Sequence, residues 1–334
     1  MKPLLSVVIP MYNEEDALVP LIERLRPALD SLGEPYEVVA VDDGSRDATG
    51  QLLIGARQLW PQLRVIRLRR NAGHQAALTA GLHRSVGDYV VSIDADLQDP
   101  PEKIADMLRL ARAEGLDVVY GVRTDRTTDS FFKRQTAGAY YLMMRRIVGT
   151  WVPRHAGDFR LLSRAVVETL KGLPEHEPVY RLLVPSLGFP SGEVPYAREE
   201  RVAGSTKYPL AKMVRLALNS ITNFSAAPLR LATWLGVTSF LFCLLMLVFG
   251  LIAYATNVTV PGWASLFVAV LLLGGVQLVC LGLLGEYVGR IYTAVQNRPT
   301  FLVGYDSAEV DAAKADRPER TAERRESPTG TPAR

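Results

Sequence analysis

The chain has 334 residues and a formal net charge of only +3, so its bulk charge gives no reason to expect a nucleic-acid partner. Hydrophobic residues make up 48% of it, high for a soluble enzyme, and the excess lies toward the C-terminus. Two cysteines, Cys243 and Cys280, each inside an apolar run, exclude a disulfide framework and a zinc cluster; the four histidines are scattered without ligand spacing.

The first apolar run is short, contains Pro10, and meets Glu14, Glu15 and Asp16 at once. It does not read as a signal peptide, so the N-terminal domain is expected to stay in the cytoplasm. From there to about residue 123 short apolar runs alternate with helix-compatible stretches. Strands are expected over 4–9, 36–41, 63–68, 89–93 and 117–120, and helices over 14–29, 47–59, 74–85 and 101–113. This alternation predicts a mostly parallel sheet flanked by helices on both faces. Residues 124–210 are less regular and should add helices, a further strand and site loops.

Polar, turn-forming residues stand at four successive strand ends: Pro10-Met-Tyr-Asn-Glu-Glu15, Asp42-Asp-Gly-Ser-Arg-Asp47, Asn71-Ala-Gly-His-Gln75 and Asp94-Ala-Asp96. In an open α/β sheet ligands bind outside the carboxyl ends of the strands. Two carboxylates at i and i+2 on such an end form a hard, oxygen-rich tip suited to Mg²⁺ or Mn²⁺ carrying a diphosphate. Asp94, Asp96 and the Gln98 carbonyl could supply two or three oxygens. Local alternatives exist for single residues. Ser45 can cap a helix, Asn71-Ala-Gly73 can be a turn, and Asp99-Pro-Pro-Glu102 reads as an N-cap with a capping-box glutamate. Neither G-x-G-x-x-G after the first strand nor G-x-x-x-x-G-K-[ST] occurs, which argues against dinucleotide and P-loop sites.

Residues 209–225 carry Met213, Leu216, Ile221 and Phe224 beside Lys212 and Arg215, the pattern of an amphipathic interfacial helix. Two uncharged apolar segments follow. Each is long enough to span a bilayer, so transmembrane helices are expected over about 231–256 and 263–288, joined by a short turn at 257–262. Lys207, Lys212, Arg215 and Arg230 precede the pair, and Arg290 and Arg298 follow it. The positive-inside rule therefore puts both flanks in the cytoplasm. The expected division is a catalytic domain over 1–208, a juxtamembrane helix over 209–230, a hairpin over 231–290 and a cytoplasmic tail over 291–334. Beyond about 306 the tail is too polar to order itself.

Pro10–Glu15, Asp42–Ser45 and Asp94–Asp96 resemble the motif series of family 2 glycosyltransferases with the GT-A (Rossmann-like) fold. Gly73-His-Gln-Ala-Ala77, Asp94-Ala-Asp-Leu-Gln-Asp-Pro-Pro101, Gly157-Asp-Phe-Arg-Leu161 and Arg201-Val-Ala-Gly-Ser-Thr-Lys-Tyr208 are similar to the polyprenyl-phosphate branch, which includes bactoprenol glucosyltransferases and dolichol-phosphate mannose synthase. Thr206 stands where that branch more often has Ser. The resemblance covers about residues 4–300. It implies a nucleotide-sugar donor, a divalent cation and a lipid-phosphate acceptor at a plasma membrane, for cell-envelope glycosylation, and it admits a homo-oligomer. It assigns Pro10, Tyr12, Asn13, Glu14, Asp43, Asp94, Ala95 and Asp96 to the donor, and Asp94, Asp96 and Gln98 to the metal. Asp158 matches the catalytic carboxylate, which acts alongside Asp96; a simple pairing of Asp158 with Arg160 is the alternative. Arg201 and Lys207 are expected to clamp the acceptor phosphate, with Arg123 and Arg134 as second candidates.

UDP-glucose is the favoured donor. GDP-mannose, UDP-N-acetylglucosamine and UDP-galactose are the alternatives. A processive polysaccharide synthase is disfavoured by the lack of Q-x-x-R-W. A non-enzymatic membrane scaffold would be favoured by missing metal or clamp residues, and they are present.

Overall fold

In the computed structural model, which describes residues 2–124, 156–175, 178–197, 227–256, 262–296 and 298–313, the expected alternation is realised. Strands β1 (Leu5–Met11), β2 (Tyr36–Asp42), β3 (Leu63–Leu68), β4 (Tyr89–Ser92) and β5 (Val118–Arg123) alternate with helices α1 (Glu15–Asp30), α2 (Thr49–Leu59), α3 (His74–Arg84) and α4 (Lys103–Glu114). Then come β6 (Ala156–Ser163), α5 (Arg164–Gly172), α6 (Tyr180–Ser186) and β7 (Ser191–Tyr196). β1 reads Leu-Ser-Val-Val-Ile-Pro-Met and is buried along its whole length, as a central parallel strand covered on both faces must be.

With β8 (Val303–Asp306), the eight strands of the described residues form one sheet in the order β7-β5-β6-β4-β1-β2-β3-β8. β3, β2, β1 and β4 run parallel, with Leu5 opposite Tyr36 on one side and Tyr89 on the other. β6 runs antiparallel to both β4 and β5, pairing Ser92 with Arg160. That reversal brings the start of β6 to the sheet edge where β4 ends. Helices cover both faces. α1, α2 and α4 bury Leu18, Leu21, Leu25, Leu53, Ile104 and Met107 on one side. α3, α5 and α6 bury Leu78, Leu82, Val166, Val167 and Leu183 on the other. Each fully buried aliphatic side chain of this size contributes roughly 1.5–3 kcal/mol, so each helix is fixed by its inward stripe.

A separate unit holds two long helices, α7 (Ala227–Ala255) and α8 (Trp263–Gln296). Both are long and apolar enough to cross a membrane over Ala232–Ala253 and Val268–Gln296. They touch where Cys280 Sγ donates to the Ala232 carbonyl at 3.6 Å. Past the uncharged stretch, α8 carries Arg290, paired with Glu286 at 2.8 Å one turn earlier. The interfacial helix expected over 209–225, and most of the turn expected at 257–262, lie outside the described residues.

The tail departs from its expectation. It forms β8 (Val303–Asp306), antiparallel to β3, and continues as a helix over 307–313; residues beyond that lie outside the described residues. The catalytic unit therefore includes chain from both ends. Composition misses this because the order from Asp306 onward comes from charge pairing and backbone pairing, while Phe301, Val303 and Tyr305 pack against the core just before it. The Asp306 side chain is fully buried and accepts from Arg64 Nη2 at 2.8 Å and Arg84 Nη1 at 2.7 Å. Ser307 Oγ accepts from the Val65 N–H at 3.0 Å and Arg57 Nη1 at 2.8 Å.

Candidate active site

The strand ends named in the sequence converge on one edge of the sheet. After β1, Pro10 is buried and Tyr12 is 39% exposed. Asn13 takes a left-handed backbone (φ 54°) and is held from both sides: its N–H donates to Ser45 Oγ at 3.0 Å, and its Oδ1 accepts from the Arg46 N–H at 2.9 Å. The Glu14 N–H donates to Thr49 Oγ1 at 2.9 Å. Ser45 thus serves the β1–α1 loop rather than the start of α2, whose cap residue is Ala48.

Asp42 and Asp43 end β2, and both are buried. Asp42 Oδ1 accepts from the Ser45 N–H at 2.8 Å, and its Oδ2 pairs with Arg67 Nε at 3.1 Å. Asp43 accepts from the Ala72 N–H at 2.7 Å on one oxygen and from the Gly73 N–H at 2.8 Å on the other. Burial pushes the Asp43 carboxyl up, and these two N–H donors only partly offset it. The carboxylate fixes the β3–α3 loop, which ends at Gly73 with φ 98°, a backbone that favours glycine.

β4 delivers Asp94 and Asp96. Between Asp96 and Gln98, Leu97 is forced to φ 58° while its side chain is buried, and Asp96 Oδ1 accepts from the Gln98 N–H at 3.2 Å. Left-handed backbone in a leucine costs roughly 1–2 kcal/mol, and such strain gathers at functional sites. Ala95 is buried behind the turn. Asp94 keeps 33% of its side chain exposed. Burial, with the charges of Asp158, Asp99 and Asp96, pushes its carboxyl up to about 6 against the pull of His74.

Antiparallel β6 brings Asp158 opposite this tip, where Ser92 Oγ donates to the Asp158 carbonyl at 2.5 Å. Asp158 Oδ1 accepts from Arg160 Nη2 at 2.5 Å, so the pairing foreseen as an alternative exists within the cleft. Asp158 Oδ2 lies 3.3 Å from His74 Nε2, and Asp94 Oδ1 lies 3.8 Å from the same nitrogen. Burial pushes the Asp158 carboxyl up, but the His74 hydrogen bond and the Arg160 charge outweigh it and hold the group well below the usual carboxylate range. His74 shifts upward in return, the two carboxylates outweighing its burial. His74 had no role assigned from its sequence; the signals were its place in the Gly73–Ala77 run and directly after a loop glycine at a strand end.

Asp99 is not a helix cap. α4 begins at Lys103 after Glu102, without a side-chain cap, and Asp99 is buried against Tyr196 Oη and Arg123 Nη2, the latter at 3.5 Å. Arg123 also donates to Tyr196 Oη at 3.1 Å. The cleft wall thus holds Arg123 close to the carboxylate tip, with 27% of its side chain exposed. Arg134, Arg201 and Lys207 lie outside the described residues.

Among the described residues no three acidic, histidine or cysteine side chains form a ready cation cage. Asp94 and Asp96 nevertheless fit a cation that arrives with a diphosphate. Mg²⁺ bound with substrate phosphates needs only one or two protein carboxylates, and the crowded charge that lifts Asp94 is the kind a divalent ion relieves.

The family model for glycosyl transferase family 2 matches residues 6–171, and that for the GtrB C-terminal hairpin matches residues 227–291. Glycosyltransferase YkcC of Bacillus subtilis (strain 168) is 43% identical over 302 residues, 89% of this chain and 92% of its own. The SfII prophage-derived bactoprenol glucosyl transferase of Shigella flexneri is 39% identical over 303 residues, 90% of this chain and 97% of its own. Among solved structures, glucosyl-3-phosphoglycerate synthase from Mycobacterium tuberculosis, in complex with Mn²⁺, UDP-glucose and phosphoglyceric acid, is 23% identical. It covers 66% of this chain and 78% of its own, with a TM-score of 0.49. The chain belongs to glycosyltransferase family 2, with the GT-A fold followed by a membrane-associating helical hairpin, and is a glycosyltransferase.

Proposed function

We propose that the chain transfers a hexose, with UDP-glucose as donor, to a polyprenyl phosphate of the undecaprenyl or decaprenyl type, inverting the anomeric carbon at the cytoplasmic face of a membrane. The observation that carries this reading is the likeness, over nine-tenths of the chain, to a bactoprenol glucosyl transferase. The lipid acceptor also fits the chemistry. A monophosphate ester with a second pKa of about 6 is already an anion at neutral pH, so no strong base is required. The harder tasks are joining two anions and stabilising the departing nucleoside diphosphate.

Asp94 and Asp96 would hold Mg²⁺ or Mn²⁺, with the Gln98 carbonyl as a further oxygen, and the ion supplies charge neutralisation to the diphosphate. Pro10, Tyr12, Asn13, Glu14, Asp43 and Ala95 line or shape the donor side. Asp158 stays ionised and orients the acceptor for in-line attack. Arg201 and Lys207, in the segment before the hairpin, meet the acceptor phosphate, with Arg123 and Arg134 as second candidates. Both termini then lie in the cytoplasm and the 257–262 turn across the membrane.

Purified full-length chain with undecaprenyl phosphate and Mg²⁺, supplied in turn with UDP-glucose, UDP-N-acetylglucosamine, UDP-galactose and GDP-mannose, tests this by the mass of the lipid product. A hexosyl lipid phosphate from UDP-glucose is expected. A product from GDP-mannose alone would make the chain a mannose synthase, and no lipid-linked product from any donor would overturn the acceptor.

A further inference from the structure

His74 takes no part in the function described so far, yet it occupies the centre of the cleft. Its Nε2 stands 3.3 Å from Asp158 Oδ2 and 3.8 Å from Asp94 Oδ1. One ring nitrogen therefore separates the carboxylate on the acceptor side from the carboxylate on the leaving-group side. The imidazole is 42% exposed, so it fills no core position. Its backbone is nonetheless fixed. The Asp43 carboxylate grips the N–H groups of Ala72 and Gly73 immediately before it, and α3 begins at His74 itself.

Asp158 shows what this fixed imidazole does. Arg160 Nη2 holds Oδ1, and the buried guanidinium that carries it also reaches the Gly157 carbonyl at 3.1 Å. A single contact on one oxygen leaves a carboxylate free to turn, because its terminal torsion is broad. The second contact, on Oδ2 from another element, removes that freedom. A carboxylate oxygen 3.3 Å away is an acceptor that Nε2 meets as N–H, in the neutral ring or in the imidazolium.

We propose that His74 is a positioning residue for the transfer reaction: its Nε2–H holds Asp158 Oδ2 in the plane that meets the acceptor and keeps the carboxylate apart from Asp94. This rests on the reading of Asp158 as the carboxylate that orients the acceptor. The line of contact runs from the end of β2, through the β3–α3 loop, to the start of β6. A displacement of about 1 Å at such a group costs on the order of 100-fold in rate.

The test uses the full-length chain with its lipid acceptor, as wild type, His74→Ala and His74→Gln, each also combined with Asp158→Asn. His74→Ala should lower kcat by about 100-fold while donor KM changes by less than about threefold. His74→Gln places an amide N–H near the position of Nε2 and should recover about tenfold of the loss. In the Asp158→Asn background, His74→Ala should bring no further loss, because the group it positions is already disabled. Unchanged kcat in His74→Ala, a loss confined to donor KM, or losses that simply multiply with Asp158→Asn would each overturn the proposal. Wild type run alongside separates the two readings. If it yields no lipid-linked sugar, the acceptor assignment falls and this inference with it; if it yields product and His74→Ala matches it, only the positioning role falls.

Discussion

On the β2 side of the cleft carboxylates chiefly hold backbone, Asp42 adding an ion pair with Arg67, and on the β6 side they hold side chains. Asp43 engages two loop N–H groups and Asp42 a third. Asp158 engages Arg160 and His74, and Asp99 engages Arg123 and Tyr196. Backbone-held carboxylates give the donor-side loops their shape, and losing one should appear as lost stability. Side-chain-held carboxylates can adjust when a cation or anion arrives, and losing one should appear as lost rate.

The largest effect is expected at the metal tip. Asp96→Asn should cut transfer by at least about 1,000-fold, equivalent to about 4 kcal/mol, with an unchanged melting temperature. Near-normal turnover in saturating Mg²⁺ and Mn²⁺ would remove Asp96 from the cation site. Asp43→Ala should show the opposite balance. It leaves two loop N–H groups without their acceptor and should cost about 3 kcal/mol in denaturant unfolding of the catalytic unit. If the midpoint does not move, the contrast between the two sides of the cleft collapses.

Asp306 extends the contrast to the edge of the sheet. Burial pushes its carboxyl up, but hydrogen bonds from Arg64 and the Ala308 N–H, with the charges of Arg64 and Arg84, hold it below the ordinary carboxylate range. Its folded value being depressed, its stabilisation is fully present above about pH 4 and disappears as pH falls through the folded value. Asp306→Asn should lower stability at pH 7 by about 2 kcal/mol and flatten the acid dependence, measured as denaturation midpoints between pH 7 and 3. Gly73→Ala should act through the backbone alone. An added Cβ meets nothing within 4 Å, so the cost is that of φ 98° and ψ 156°, a glycine region, about 1–3 kcal/mol. A much larger loss would mean that the loop has no slack before His74.

The parallel half of the sheet was readable because β1 to β4 are short apolar runs closed by turn residues. Their ends named the site carboxylates for the same reason. β6 was not readable, because Ala-Gly-Asp-Phe-Arg-Leu-Leu-Ser places Asp158 and Arg160 inside a strand, where their mutual pairing, His74 and the Gly157 carbonyl accommodate them. Asp99 misled because Asp-Pro-Pro-Glu is a good local cap, whereas its partners, Arg123 and Tyr196, lie 24 and 97 residues away. His74 was hidden for a related reason. Its role arises only where α3 meets a strand that follows it in sequence by 82 residues or more (156 − 74). The β8 strand was missed because it is four residues long and its short apolar run, Phe301–Val303 with Tyr305, stands alone after the long helices.

That last strand has a consequence for how the molecule is made. Arg64 and Asp306 are 242 residues apart, and both long apolar helices are synthesised between them. During translation β1 to β4 can assemble early, but the outer edge of β3 has no partner until the ribosome has passed the hairpin. An uncovered strand edge is a template for pairing with other chains. The nascent catalytic domain therefore carries a vulnerable edge until both helices have been made. Closure of that edge by β8 can follow only once both long helices have been made.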